Sequence, residues 1–171
     1  MGVPRIDPVP RLPPILIACL LGAALLGGCG EGGAEAGAKV RVYVSAPLHG
    51  AEGETGRRLC MGARDGAAHA GGEVEDLELE VVCLDAAGED GRWTLAQVGA
   101  NARRATEDSS AVAYVGEPDE LARTQSRPIV AAAEIAELGG VSGEEAVAAV
   151  VAAIRDGDAD HPRDAVFKAE G

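Results

Sequence analysis

Aromatic side chains are scarce in this 171-residue sequence: Trp93, Tyr43, Tyr114 and Phe167 are the whole set. A core must therefore be assembled from Val, Leu, Ile and much Ala, and it will be shallow, because small side chains bury little apolar area each. Positive charge is scarce too. There are 15 Lys and Arg against 28 Asp and Glu, a formal net charge of −13, so the basic footprint that phosphate backbones require is missing and nucleic acid is excluded as a partner. The same imbalance opposes contact with anionic lipid headgroups. The three histidines, His49, His69 and His161, are scattered singly, in neither a metal-ligand spacing nor an acid–base pair. Neither a Walker loop nor a dinucleotide fingerprint is present. No cofactor is implied, and catalysis finds no residue-level support.

The long apolar run is at the start. Ile15 to Leu26 follows Arg5 and Arg11 and ends in Leu26-Gly27-Gly28-Cys29, a stretch of signal-peptide length that is too short for a permanent membrane span. Two small residues and then a thiol suit cleavage followed by acylation, so the segment resembles the lipobox of bacterial lipoproteins. That resemblance implies a signal peptide over residues 1–28, a lipid on Cys29, and attachment to the extracytoplasmic face of the bacterial cell membrane through the lipid alone. Residues 29–38 are too poor in large apolar side chains to pack and read as a flexible tether. One modest domain then fills residues 39–171. Of the remaining cysteines, Cys19 is lost with the leader, leaving Cys60 and Cys83. In an oxidising compartment these form either a disulfide or two buried thiols; sequence alone does not bring their Cα atoms within bridging distance.

Periodicity organises the domain. Val40, Val42 and Val44 with Tyr43 predict a strand ending at Pro47-Leu48-His49-Gly50. Leu59, Ala63 and Ala67 predict a helix over about 52–70, closed by Gly71-Gly72. Leu77, Leu79, Val81, Val82 and Leu84 predict a second strand ending at Asp85. Thr94 and Gln97 have capping-box spacing ahead of a helix with Leu95, Val98, Ala102 and Ala105 on one face, and residues 111–115 predict a third strand. Strand, helix, strand, helix, strand implies α/β class: a small parallel sheet in three layers, with any ligand beyond the C-terminal strand ends. Residues 120–137 read either as one helix kinked at Pro128 or as a short strand over 128–131. Ser142 and Glu145 form a capping box before Val147, Val150, Val151 and Ile154, and a last helix is predicted over 163–168.

Two local patterns imitate chemistry without completing it. Asp156, Asp158 and Asp160 alternate as in a calcium loop, but His161 stands where Gly is needed and Phe167 where Glu is needed. Gly140-Val141-Ser142-Gly143-Glu144 lacks the closing Gly of a nucleophile elbow, and Ser142 reads as a helix cap.

Val42-Tyr43-Val44-Ser45-Ala46-Pro47-Leu48-His49-Gly50, Gly62-Ala63-Arg64, Leu84-Asp85, Gly91-Arg92-Trp93, Ala100-Asn101-Ala102-Arg103-Arg104-Ala105 and Ala113-Tyr114-Val115-Gly116-Glu117 follow one another in an order that resembles type 1 periplasmic-binding proteins, specifically the branched-chain amino-acid-binding group of ABC-transporter solute receptors. The resemblance covers most of residues 39–135 and resumes near Gly143, where Glu145 to Arg155 is similar to the family's closing helix. It implies a partial lobe of a two-lobed receptor, an ABC permease as partner and a small polar solute, with Ser45, Asp85, Glu117 and Asp119 as candidate ligand-binding residues. The loop after the third strand departs from the family's Gly-Glu-x-x-Ser-Gly-Ala-Thr. Glu120 stands where a neutral donor would meet a carboxylate, Leu121 replaces a Gly, and only Arg123 could attract an anion. Two readings follow: an importer's solute-binding component, or a degenerate or interaction-only lipoprotein that binds no amino acid.

Overall fold

The computed structural model describes residues 38–170; the leader, Cys29 and the tether before Ala38 lie outside them. Alternation sets how the first strand faces. In β1 (Lys39–Ala46), Val40, Val42 and Val44 enter one apolar cluster while Tyr43 enters another on the opposite face. A single turn of 3₁₀ helix (Gly50–Glu52) leads into α1 (Gly53–His69). The short β2 (Glu73–Val74) hairpins into β3 (Leu77–Asp85), and α2 (Leu95–Thr106), β4 (Ala111–Val115), α3 (Glu120–Ala131), β5 (Ala136–Leu138), α4 (Gly143–Asp156) and α5 (Pro162–Glu170) follow. The sheet order is β2-β3-β1-β4-β5, parallel throughout except for the β2–β3 hairpin.

Crossovers put helices on both faces. Cys60, Ala63 and Ala67 of α1, Val147, Val150 and Ile154 of α4 and Val166 of α5 share a cluster with the valines of β1. Ala102 and Ala105 of α2 and Val130 of α3 pack with Tyr43, Tyr114 and Leu84 on the other face. The shortage of aromatics is met by close approach: a Cβ on Gly143 would collide with the backbone of Leu59 and Ala63, so α4 lies hard against α1. Cys60 of α1 and Cys83 of β3 are joined as a disulfide, with Cα atoms 5.9 Å apart.

The α/β class and the three layers are as the periodicity implies, but the sheet has five strands where the pattern predicts three. β2 has two residues and β5 three, too few for alternation to register. Nor is there a strand over 128–131. The helix runs through Pro128, which stands near its C-terminal end, and continues to Ala131; the chain then turns through Glu134, at φ 54°, into β5. Among the described residues no helix is long and apolar enough to cross a membrane.

Candidate functional site

β1 is followed by α1 on one face of the sheet, and the neighbouring β4 is followed by α3 on the other. The loops leaving these strands therefore diverge, which opens a crevice beyond their C-terminal ends. Two adjoining clefts lie there, sharing Thr55 and Pro118. The larger, about 390 Å³, lies between Arg58, Leu59 and Gly62 of α1 and residues 140–144. The smaller, about 250 Å³, is bounded by Pro47, Glu52, Trp93 and Asp119.

Asp85 and two glycines fix the walls of the smaller cleft. The Asp85 carboxylate accepts from Leu48 N and Ala87 N, both at 2.9 Å, and meets His49 Nδ1 at 2.6 Å, tying the end of β3 to the loop after β1. Partial burial alone would raise the Asp85 pKa, but these donors outweigh it and hold the group below the ordinary carboxylate range. Gly50 and Gly91, at φ 69° and 74°, lie so close that a Cβ on either would strike the other's backbone. Glu52 N donates to Gly91 O at 3.2 Å, and Glu52 Oε2 accepts from Trp93 N at 3.4 Å. Asp119 caps α3, accepting from Leu121 N and Ala122 N.

Ser45 and Glu117 meet beneath this surface. Both are fully buried. Ser45 Oγ donates to Glu117 Oε1 at 2.5 Å, Tyr114 OH donates to the same oxygen at 3.2 Å, and Ser126 Oγ donates to Oε2 at 3.3 Å. Asn101 Nδ2 donates to Ser45 Oγ at 2.9 Å and to Asp85 O at 3.1 Å. Burial first, and then the Glu117 carboxylate, push the Tyr114 phenol far above its ordinary range, so it stays a proton donor. The four candidate residues thus occupy one end of the sheet in two tiers, Asp85 and Asp119 at the surface and Ser45 with Glu117 below.

Two charges in the first turn of α3 are turned on one another. Arg123 Nη1 donates to Glu117 O at 2.7 Å and Pro118 O at 3.1 Å, and its Nη2 pairs with Glu120, which also lies 3.6 Å from Arg127. Arg123 is only 8% exposed. Glu120, read from the sequence as repelling a carboxylate, thus pairs with Arg123 and Arg127, and Arg123, read as the one group that could attract an anion, donates to two carbonyls while its Nε is buried without a partner among the described residues. Leu121 stands 62% exposed. Sequence reading missed Glu52, Thr55 and Trp93, which come from different elements; the Gly91-Arg92-Trp93 turn was the one available signal.

No family model matches the sequence, and a search of curated proteins finds no match. The fold is similar to solved solute-binding proteins. An ABC-transporter substrate-binding protein from Sphaerobacter thermophilus is 21% identical over 64% of this chain and 28% of its own, with a TM-score of 0.53. A leucine-binding protein from Thermotoga maritima is 16% identical over 77% of this chain and 45% of its own, TM-score 0.52. A solute-binding protein of an ABC transporter from R. palustris, solved with 4-hydroxybenzoate, is 17% identical over 78% of this chain and 44% of its own, TM-score 0.52. The chain therefore spans less than half the length of each. What the likeness carries is the architecture, a partial lobe of periplasmic-binding-protein type.

Proposed function

We propose that this chain is a lipid-anchored, extracytoplasmic solute-binding component of an ABC importer related to the branched-chain amino-acid type, with its solute at the paired clefts and a permease as its partner. The observation that supports this most is where the clefts lie: at the switch point between β1 and β4, in a fold whose neighbours are solute receptors. In this reading Ser45 and Glu117 set the loop from below, Asp85 holds the loop after β1, and Asp119 stands at the cleft's mouth. Cys29 carries the lipid; Cys29→Ala should abolish lipid labelling and shift the protein out of the membrane fraction.

Calorimetric titration with a panel of amino acids and small solutes tests the binding role. Saturable heat is expected from at least one solute, while leucine, isoleucine and valine bind no tighter than millimolar, about 4 kcal/mol, because one lobe supplies only part of a ligand's contacts. A panel without any saturable response would favour the second reading, an interaction-only lipoprotein. One observation supports that alternative: Glu120 and Arg123, at the start of α3, pair with each other rather than facing the cleft.

A further inference from the structure

The two clefts differ in charge. In the larger, one cation, Arg58, and one carboxylate, Glu144, line the walls, so its ionic groups are matched. The smaller has carboxylates alone: Glu52 and Asp119 at its surface, with Glu117 bordering it from beneath, and no Lys, Arg or His lines it among the described residues. Glu52 spends one oxygen on Trp93 N and Asp119 spends one on the first turn of α3. Their other oxygens have no protein partner among the described residues. Trp93, whose indole is the richest π-system a side chain offers a cation, stands in the same wall, held there by the contact of Gly50 with Gly91.

We propose that the cleft between Glu52, Trp93 and Asp119 takes a small organic ammonium cation. This rests on the solute-binding reading above and assigns the chemical class of its ligand. A carboxylate-bearing solute entering here would meet like charge on both sides, whereas an ammonium is attracted by two carboxylates and an aromatic ring at once. About 250 Å³ suits a ligand of a few heavy atoms rather than a peptide. Pro47, Thr55 and Pro118 complete the lining.

Trp93 is the sole tryptophan, so its fluorescence reports this cleft directly. The full chain would be titrated with choline and putrescine, with 3,3-dimethylbutanol as the neutral counterpart of choline, and with leucine. A saturable change is expected with at least one cation, with the neutral alcohol about tenfold weaker and leucine silent. Glu52→Gln and Asp119→Asn, which keep an acceptor for Trp93 N and for the α3 cap, should each weaken the cation about threefold, as measured by calorimetry on variants with unchanged circular dichroism. Saturation by leucine or the alcohol with both cations silent would overturn the cation and leave the solute-binding reading standing. Silence toward every probe would overturn the cation, and the wider solute panel would then decide the solute-binding reading separately. Cation binding indifferent to both substitutions would refute the assignment to this cleft.

Discussion

At the N-terminal end of the sheet Asp108 gathers Arg41 Nη1 at 2.9 Å, Tyr43 OH at 2.7 Å and both Ser110 N and Ser110 Oγ, while Arg163 of α5 donates to the carbonyls of Asp108, Ser109 and Ala111. At the C-terminal end Glu117 is equally surrounded, but above it the loops part into open clefts. Both ends therefore contain a carboxylate that organises its neighbours. What separates them is charge: Arg41 and Arg163 join the Asp108 network, and a cleft of about 260 Å³ beside it has Lys39 and Arg163 in its lining, while above Glu117 the carboxylates of Glu52 and Asp119 keep an oxygen without a partner among the described residues. Both ends carry a cleft, and they differ in what lines it: cations together with carboxylates at one end, carboxylates alone in the smaller cleft at the other.

The covalent brace is where the C-terminal end should be easiest to break. Reducing the Cys60–Cys83 disulfide, or replacing both residues by Ala, is expected to cost about 3 kcal/mol of unfolding free energy, read by urea denaturation, and to loosen α1 against the clefts. Peptide mass spectrometry without reduction should find the pair linked; fully alkylated thiols in protein from the cell envelope would remove the brace from the account.

At the N-terminal end, Asp108→Ala should cost about 2 kcal/mol, since it strands Tyr43 and Arg41 in a half-buried site. The same carboxylate has a pH signature. Partial burial pushes its pKa up, but hydrogen bonds from Ser110, Tyr43 and Arg41 more than reverse this, so the folded value lies below the unfolded one of about 4. The stability it contributes is present above pH ~4 and is lost as pH falls below that toward the folded value. Asp108→Asn should therefore flatten the acid limb of the melting profile. Burial, and then the Asp108 carboxylate, push Tyr43 up to about 12. Its contribution is complete below the unfolded value of about 10 and fades between there and 12, which tyrosinate absorbance should follow.

Glu117→Gln sharpens the contrast from the other side. An amide accepts at one end only, so the Ser126 hydroxyl must turn from this side chain to the Arg123 carbonyl, 3.4 Å away, at a cost of about 1 kcal/mol; the solute response should fall more than the stability does. At Asp108, by contrast, substitution should lower stability and leave any solute response in place. The smallest effect is expected at Arg58 and Glu54, an exposed pair one turn apart. Replacing Arg58 by Ala should leave the melting temperature unchanged.

The alternation at Val40, Val42 and Val44 was enough to orient β1, and the Ser142–Glu145 capping box is present with both its hydrogen bonds. Thr94 accepts from Gln97 N as its spacing implies. These features are local, and local pattern reads directly from sequence. β5 did not read because its three residues carry no period and depend on pairing with β4 for their conformation. At the site, Asp85 was recognisable as the residue that ends a strand, whereas the capping of α3 by Asp119 was not read from the sequence. The partnership of Ser45 with Glu117 spans 72 positions, and that of Glu52 with Trp93 spans 41, beside the close contact of Gly50 with Gly91. No window along the chain contains either.

The position of β1 has a mechanical consequence. The described fold begins at its central strand, which is paired with β3 from Lys39 to Ala46 and with β4 from Arg41 to Val44. Tension applied at Lys39 runs along that strand and across hydrogen bonds on both flanks, so the two ladders are loaded in shear and must yield together rather than peel apart one rung at a time.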